Sequence, residues 1–308
     1  MSVLNQKTIK STISFNGIGL HSGKISNVKL LPAKEDHGIV FKRVDLKEKN
    51  LIKANYKNVS SANLCTTLKN DDGAKVSTVE HLLASLFIKG IDNLIIEIDN
   101  DEIPILDGSS RNFIELLNEV ETVDQVKKRK YLRILDKVEF EDSDKKISIE
   151  PCEAFKVDFE LNYKNKIIGS QRNIVNFLED DLEDIIQSRT FCLYNDIEKI
   201  KKVGLAKGGS LDNAIVVDDN EILNKSGLRN KKEFVNHKIL DLAGDFVLSG
   251  YNIIGKIICY KGGHELSNQF LKELLDKNKE KFSIVEFEEK KVKRVTHKNY
   301  PTRIAVNA

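Results

Sequence analysis

Two segments far apart in the chain repeat the same order, a helix followed by an apolar strand. The predicted helices open on Val79-Glu80-His81 and on Val235-Asn236-His237, and each leads to a strand that begins with Asn. This repetition predicts two α+β halves packed on each other, with chance similarity of two short units as the alternative. The helices are predicted at Thr78–Lys89 and Glu233–Leu248, and the strands at Asn93–Ile98 and Asn252–Tyr260.

The other elements are predicted from hydrophobic patterns and turn residues. The first helix carries an apolar stripe and follows Ser77-x-x-Glu80, which is typical of a capping box, and Gly90 ends it. Further strands are predicted at Lys7–Phe15, Ser26–Leu31, Gly38–Val44, Tyr131–Phe140 and Ala214–Val217, and further helices near Arg111–Glu119 and Leu266–Leu275.

A run of four like charges, Lys127-Lys128-Arg129-Lys130, separates the two halves. Such runs are usually solvated, so a linker is predicted here. With 308 residues, the chain exceeds the size at which one hydrophobic core usually stops growing. We therefore expect two domains, residues 1–126 and 131–308.

Composition limits the classes of partner. The 49 basic and 47 acidic residues form no basic stripe with interleaved aromatic residues, so no nucleic-acid partner is expected. The N-terminus lacks an apolar leader, and no run is long enough to span a bilayer, which favours a cytoplasmic protein without a transmembrane segment. The four cysteines lie far apart without a CxxC pair, so neither a disulfide framework nor a thiolate zinc site is expected.

The segment His237-Lys238-Ile239-Leu240-Asp241 has the spacing of a metal-binding helix. At 3.6 residues per turn, His237, Asp241 and Asp245 fall on one side within roughly 80°. An imidazole and a carboxylate one turn apart can bind one divalent ion. An exposed His–Asp pair on a solvated face is the alternative interpretation.

Glu80 and His81 open the other helix and also allow two interpretations. Glu80 can cap the helix while His81, which lies off the apolar stripe, is exposed. Alternatively, His81 is a third metal ligand and Glu80 is the base that deprotonates the attacking water, because catalytic zinc sites combine three protein ligands with an open position. The chain has neither HExxH nor HxxEH, since Ser77 stands where the inverted motif needs His, so a standard metalloprotease is disfavoured.

Lys261-Gly262-Gly263-His264 follows the apolar strand of the second half. The two glycines are expected to turn the backbone sharply and to bring His264 to an exposed tip. An ordinary surface histidine is one interpretation. The other is an acid–base group, protonated at neutral pH, that helps a leaving amine depart.

Taken together, the motifs closely resemble those of the UDP-3-O-acyl-N-acetylglucosamine deacetylases, the zinc amidohydrolases of the committed step of lipid A synthesis. Their order and spacing agree from near residue 7 to near residue 290. The matching segments are Gly17-Ile18-Gly19-Leu20-His21-Ser22-Gly23, Ser77-Thr78-Val79-Glu80-His81, Gly90-Ile91-Asp92-Asn93, Ile103-Pro104-Ile105-Leu106-Asp107-Gly108-Ser109, Ser188-Arg189-Thr190-Phe191, Gly208-Gly209-Ser210, Val216-Val217-Asp218-Asp219, His237-Lys238-x-x-Asp241-x-x-Gly244-Asp245 and Gly263-His264.

The resemblance implies an α+β fold of two similar domains, each a sheet with a pair of helices, packed as a β-α-α-β sandwich. It implies zinc bound by His81, His237 and Asp241, although such a site also accepts Fe²⁺. A helical insert near 192–209 would form the passage for an acyl chain.

The resemblance also implies roles for single residues. Glu80 would be the general base and His264 the general acid, with Thr190 supporting the oxyanion. Lys238 and Asp245 would tune the site, Asp245 by orienting His264. Lys145 would meet the phosphates of the nucleotide, and the other positions that match substrate contacts or the cleft lining are Leu20, Cys65, Tyr163, Phe191, Gly209 and Ser210.

The implied reaction is hydrolysis of the N-acetyl group of UDP-3-O-acyl-N-acetylglucosamine, which gives UDP-3-O-acyl-glucosamine and acetate. Two acid–base groups on opposite sides of the reacting carbon predict a bell-shaped pH profile. A different zinc amidohydrolase is one alternative. A metal-stabilised binding protein, in which Glu80 is only a helix cap, is another. The protein is expected to be a monomer.

Overall fold

The computed structural model describes residues 4–288. Residues 1–3 and 289–308, which belong to the two expected domains, lie outside the described residues. Within the described part, no helix is both long enough and apolar enough to cross a membrane.

The first half, residues 4–128, contains ten strands and two α-helices. The strands are β1 (Asn5–Ile9), β2 (Ile13–Ile18), β3 (Ile25–Pro32), β4 (Ile39–Arg43), β5 (Leu51–Lys53), β6 (Val59–Ser61), β7 (Thr67–Lys69), β8 (Lys75–Val76), β9 (Leu94–Ile98) and β10 (Thr122–Lys128), and the helices are α1 (Glu80–Ile88) and α2 (Arg111–Asn118). Its main sheet has the order β2-β3-β9-β4-β5, while β6-β7-β8 and β1-β10 form smaller sheets.

The second half, residues 129–288, contains nine strands and four α-helices. The strands are β11 (Tyr131–Ile134), β12 (Val138–Asp142), β13 (Lys145–Glu150), β14 (Phe155–Asn162), β15 (Ser170–Asn176), β16 (Phe191–Leu193), β17 (Ile215–Val217), β18 (Asn252–Tyr260) and β19 (Phe282–Val285), and the helices are α3 (Glu183–Ile186), α4 (Tyr194–Lys202), α5 (Glu233–Val247) and α6 (His264–Lys272). Seven strands form its main sheet around the long β18, and β16 and β17 form a parallel pair.

The two halves share one plan. In each, a central helix leads into a central strand, α1 into β9 and α5 into β18. Strand β9 runs parallel to β4 and antiparallel to β3, and β18 runs parallel to β14 and antiparallel to β13. The predicted pair of similar α+β units is therefore confirmed.

Helices α1 and α5 pack directly on each other in the middle of the molecule. Gly244 makes this close approach possible, because a Cβ atom there would lie 2.1 Å from the carbonyl oxygen of Glu80. Residues from both helices and both main sheets share one hydrophobic core, and nearly every residue of α1 is buried. The arrangement confirms the predicted α+β class with helices between sheets.

Two strands that were predicted as single elements are divided. Lys7–Phe15 separates into β1 and β2, which belong to different sheets, and Tyr131–Phe140 separates into β11 and β12. Apolar residues stand at even spacing on both sides of each break, Ile9 and Ile13 at the first and Ile134 and Val138 at the second, so the strand-like pattern does not mark where the chain changes partner.

The charged run 127–130 is not a solvated linker, and that prediction is wrong. Lys127 and Lys128 complete β10, which pairs with β1. Arg129 is only 7% exposed and places its guanidinium against the Asp92 carboxylate and the Gly90 carbonyl oxygen, at 2.7 and 2.6 Å. A guanidinium that finds a carboxylate in this geometry can be buried, which the charge pattern alone does not reveal.

Candidate active site

Three side chains from α1 and α5 meet where the two helices pack together. The Oδ1 atom of Asp241 lies 3.4 Å from Nε2 of His81 and 3.3 Å from Nε2 of His237. All three residues are buried, and their nearest ligand atoms lie within 4.8 Å of one another. The structure thus brings His81, on α1, to the His–Asp pair of α5.

The chemistry of this group fits a divalent cation. Asp241 Oδ1 is buried and has no hydrogen-bond partner within residues 4–288. The Nδ1 atom of His237 lies 3.1 Å from the Ser188 carbonyl oxygen and donates to it, which leaves the Nε2 lone pair directed to Asp241. Burial lowers the pKa of His237 to about 3, so this imidazole is neutral, as a metal ligand must be.

Asp241 keeps its charge although its side chain is buried. Burial opposes ionisation, but the Lys238 ammonium and the charged His264 ring hold the pKa of the Asp241 carboxyl well below its usual range. Lys238 Nζ lies 2.9 Å from Asp241 Oδ2, the oxygen that does not face the imidazoles. Oδ2 of Asp241 therefore binds the Lys238 ammonium, and Oδ1 remains available to a metal cation.

Glu80 is not a helix cap, and the predicted capping box is wrong. The cap position of α1 is Val79, which makes no side-chain bond to the helix, and Ser77 Oγ donates to the Asp101 carbonyl oxygen. Glu80 is 3% exposed, and its Oε2 accepts from the Thr66 backbone N–H at 3.1 Å. Its Oε1 lies 3.7 Å from His264 Nε2, and burial raises the pKa of its carboxyl.

His264 is not at an exposed tip, in contrast to the prediction. It is the first residue of α6 and is 8% exposed. Its Nδ1 donates to Asp245 Oδ2 at 2.9 Å, and Asp245 Oδ1 accepts from Thr66 Oγ1 at 2.7 Å. Burial opposes the imidazolium charge, but the carboxylates of Asp245, Glu80 and Asp241 raise the pKa of His264 to about 10. The ring is therefore protonated at neutral pH.

Gly262 and Gly263, which precede His264, do not form the sharp turn that was predicted, and Gly262 is instead needed for close packing. The left-handed residue is Lys261, with φ of 55°, whereas Gly263 is extended. A Cβ atom on Gly262 would lie 2.2 Å from Cys259 Sγ, and one on Gly263 would meet nothing within 4 Å. Gly262 thus lets the loop close onto β18 and directs α6, with His264 at its start, into the interior.

Aromatic residues stand beside the metal group. The rings of Phe191 and His237 have centroids 6.3 Å apart, and Lys238 Nζ lies 5.5 Å from the Phe191 ring centroid. Tyr163 packs edge-on against Phe191 with centroids 5.7 Å apart. Phe191, Lys238 and Tyr163, all predicted site residues, are thus linked to His237 by direct or successive contacts.

Thr190 is held in the segment that precedes β16. Its backbone N–H donates to the Gly108 carbonyl oxygen at 2.8 Å, and its own carbonyl oxygen accepts from Ile215 at 2.8 Å. The adjacent Arg189 forms a buried ion pair with Glu233 at the start of α5, at 2.8 Å. The segment is therefore fixed to the helix that carries His237.

Cys65 and Leu20 lie in two loops of the first half. Cys65 is buried next to Thr66, and burial together with the Glu80 charge raises the pKa of its thiol to about 12. The Leu20 carbonyl oxygen accepts from Gly208 N–H at 3.0 Å, and a Cβ on Gly209 would lie 3.6 Å from the Leu20 side chain. Leu20 and Gly209 are thus neighbours, and Ser210 follows at the exposed end of that loop.

Lys145 lies on the surface, away from the buried residues of the site. It is exposed at the start of β13, opposite Asp142. The next residue, Lys146, pairs with Tyr260, which precedes Lys261 and the loop to His264. Lys145 thus lies at the sheet end from which that loop departs.

The segment predicted as an insert contains α4, none of whose residues is buried. Tyr194, the first residue of the helix, is 53% exposed, and Val203, which follows its last residue, is 72% exposed. The helix therefore presents apolar surface outward.

Sequence reasoning missed two neighbours of Glu80 and His264. Thr66 bonds to both Glu80 and Asp245, and no motif marked it. His21 was noted only as part of a glycine-rich segment, yet it is buried and its Nε2 has no partner in the described chain. Burial lowers the pKa of His21, and the charge of His264 acts in the same direction, so the two rings are electrostatic neighbours.

Three buried side chains that can bind one metal ion lie beside the Glu80 carboxylate and the His264 imidazolium. This combination is typical of metal-dependent hydrolases. The sequence model of the family described as LpxC, UDP-3-O-acyl N-acetylglycosamine deacetylase, matches residues 6–276. The chain belongs to this family, and the resemblance drawn from its motifs is confirmed.

Individual relatives agree over nearly the whole chain. The chain is 42% identical to the UDP-3-O-acyl-N-acetylglucosamine deacetylase of Histophilus somni over 293 residues, which cover 94% of this chain and 95% of that protein. It is 44% identical to the protein of that name from Haemophilus influenzae over 291 residues, with the same coverage. For the Saccharophagus degradans protein of that name, identity is 42% over 298 residues, or 96% of this chain and 98% of the relative.

Proposed function

We propose that this chain removes the N-acetyl group from UDP-3-O-acyl-N-acetylglucosamine and releases acetate, the committed step of lipid A synthesis. The observation that carries the proposal is the buried group of His81, His237 and Asp241 next to Glu80 and His264. Because the chain belongs to the deacetylase family, we infer that the substrate of this site is an acylated nucleotide sugar.

In this proposal His81, His237 and Asp241 hold one Zn²⁺ ion, with Fe²⁺ as the second candidate for the same ligands. When bound, such an ion acts as a Lewis acid that lowers the pKa of water and polarises the amide carbonyl. The neutral His237 ring and the charged Asp241 carboxylate support this assignment, because both are in the state that a metal requires.

Glu80 is the proposed general base. Burial raises the pKa of its carboxyl, which makes the carboxylate a better proton acceptor. Its Oε2 accepts from the Thr66 N–H, and its Oε1 faces His264 Nε2 at 3.7 Å. The opposite group is His264, whose raised pKa keeps a proton available for the leaving amine. Asp245 holds the other ring nitrogen of His264 and so directs Nε2 into the site.

Two further residues complete the proposed chemistry. Thr190 donates its hydroxyl to the developing oxyanion, an interaction whose loss typically costs about 10²–10³ in rate. Lys238 tunes the site through its 2.9 Å contact with Asp241. Burial opposes its ammonium charge, but Asp241 raises the pKa of Lys238 above its usual range, so it remains a cation.

Substrate contacts are proposed around this centre. Phe191 and Tyr163 meet the nucleotide sugar beside Lys238, and Lys145 meets its phosphates from the sheet end. The remaining contacts line the cleft and are Leu20, Cys65, Gly209 and Ser210. The segment near 192–209 accepts the acyl chain, which the exposed apolar ends of α4 support.

The proposal includes the organisation of the chain. Residues 1–126 and 131–308 form the two domains, and the protein acts as a cytoplasmic monomer. The pairings of β10 with β1 and of β11 with β18 and β19 support a division near residue 130, because neither strand joins the other half.

The test is acetate release from the acylated nucleotide sugar by the purified protein. Activity should disappear after chelation and return with added zinc. The matched control substrate lacks the 3-O-acyl chain and should be hydrolysed far more slowly. Equal rates on both substrates would indicate a different amidohydrolase, and no acetate from either would contradict the proposal. A non-catalytic role has lost its support, because Glu80 does not cap α1.

A further inference from the structure

The backbone is strained where the chain enters α1. Thr78 has φ of 57°, in the left-handed region that β-branched residues rarely adopt. It stands two residues before Glu80 and three before His81, and it is only 2% exposed. Such a conformation persists only when the surroundings hold it, and it concentrates at functional sites.

A buried carboxylate holds this strained residue. Glu102 is 1% exposed, and its Oε1 accepts from Thr78 Oγ1 at 2.9 Å. The same oxygen accepts from the His21 backbone N–H at 2.8 Å, and Oε2 accepts from the Ser22 N–H at 2.6 Å. A single side chain therefore joins the start of α1 to the turn at residues 19–23.

The turn at residues 19–23 also supports the end of the segment 192–209. A Cβ atom on Gly19 would lie 2.4 Å from Glu102 Oε2, so glycine is required for the carboxylate to approach. On its other side, the turn accepts backbone N–H groups of Lys207 and Gly208, through the carbonyl oxygens of His21 and Leu20 at 3.3 and 3.0 Å. Glu102 thus lies between α1 and the proposed acyl-chain segment.

We infer that Glu102 is a positioning residue that sets both the placement of Glu80 and His81 and the seating of residues 206–209. Without its acceptor oxygens, Thr78 relaxes towards ordinary helical or extended φ, and the start of α1 moves relative to α5. The turn loses two of its hydrogen bonds and loosens its hold on the acyl-chain segment. The inference rests on the proposed deacetylase activity and deepens it.

The principal variant is Glu102→Gln, which preserves size but places an NH₂ group against an N–H or O–H donor. We expect kcat on the acylated substrate to fall by about 10–100-fold, the scale of other changes that displace ligands indirectly. The preference for acylated over non-acylated substrate should also fall. Glu102→Asp retains the charge and should recover part of kcat. Glu97→Gln, on the neighbouring β9 with its partner Lys42, is the matched control and should behave as wild type.

A double-mutant cycle separates positioning from simple loss of stability. Thr78→Gly removes the hydroxyl and adopts positive φ without strain. If Glu102 acts through Thr78, Glu102→Gln should cost less kcat in the Thr78→Gly background than alone, because residues in one network are not additive. Rates are normalised to the folded, metal-loaded fraction, so that a purely structural effect does not enter them.

Several results would overturn the inference. One is a Glu102→Gln protein with wild-type kcat and acyl preference, and another is full additivity with Thr78→Gly. If Glu102→Gln does not fold, Thr78→Val replaces it, because it exchanges the hydroxyl for a methyl group and keeps the β-branched shape. Unchanged kcat in this variant would contradict the inference. Zinc retention against a chelator is a readout independent of turnover. Glu102→Gln should release zinc faster than wild type even if the wild-type chain proved inactive on the proposed substrate.

Discussion

Helices α5 and α1 both bring residues to the same centre, but they do so in different ways. Helix α5 contributes His237 and Asp241 from successive turns of a regular helix, so their proximity follows from helical geometry. Helix α1 contributes Glu80 and His81 from its first turn, behind the strained Thr78. One contribution is local and the other depends on contacts made by distant segments. The difference identifies α1 as the part of the site that neighbouring residues can displace.

Among the variants that distinguish the contribution of α1 from that of α5, the largest loss of turnover is expected for Glu80→Gln. The amide cannot accept a proton, and general base catalysis contributes about 10²–10⁴ in rate. Turnover should fall by that order while zinc content stays at one ion per chain, since Glu80 is not a proposed ligand. Metal analysis and acetate release measure the two quantities. Loss of zinc together with turnover would show that α1 had moved as a whole.

Asp245→Asn tests a residue of α5 that acts through another group. The Asp245 carboxylate helps raise the pKa of His264 to about 10, against the opposing effect of burial. A raised pKa keeps the acid protonated as the pH increases, so its loss should move the alkaline limb of the rate profile to lower pH. Activity at neutral pH should fall by about 10–100-fold. A pH profile with the limb unmoved would mean that His264 does not depend on Asp245.

Gly244→Ala tests the contact between the two helices. The added Cβ would lie 2.1 Å from the Glu80 carbonyl oxygen, so α1 and α5 must separate. Overpacking of this kind costs about 1–3 kcal/mol of unfolding free energy. We expect turnover to fall as well, because the separation displaces Glu80 and His81 from the α5 ligands. Urea unfolding and acetate release check both parts. Wild-type turnover with wild-type stability would show that the helices are not tightly coupled.

The smallest effect on activity is expected in the loop before α6, which places His264 in the site. Gly262→Ala places a Cβ 2.2 Å from Cys259 Sγ, whereas Gly263→Ala meets nothing within 4 Å. The first variant should lower the melting temperature and activity, and the second should leave both nearly unchanged. The same chemical change one residue apart thus serves as its own control. Equal behaviour of the two variants would mean that the loop does not close on β18 as described.

The comparison of α5 with α1 also explains what the sequence could predict. The spacing of His237 and Asp241 predicted that the two side chains share one face of a helix and could bind one ion, because the distance along a helix is fixed. For His81 the residues alone left two interpretations, a third ligand or an exposed side chain, and the family resemblance favoured the first, since nothing local specifies how α1 and α5 cross.

The predictions that failed share one physical cause. Arg129 was assigned to solvent, Glu80 to a cap and His264 to an exposed tip. Each side chain instead finds a partner far away in the chain, respectively Asp92, Thr66 and Asp245. Buried polar groups require such partners, and local patterns do not record them.

The central claim is that α1 and α5 together hold one metal ion, and X-ray absorption at the metal edge tests it most directly. The wild-type chain should show one ion bound by two imidazole nitrogens and a carboxylate oxygen at about 2.0–2.2 Å. In His81→Ala, the imidazole contribution should fall to a single ring and affinity should drop. An unchanged spectrum in that variant, or no stoichiometric metal in the wild type, would contradict the claim.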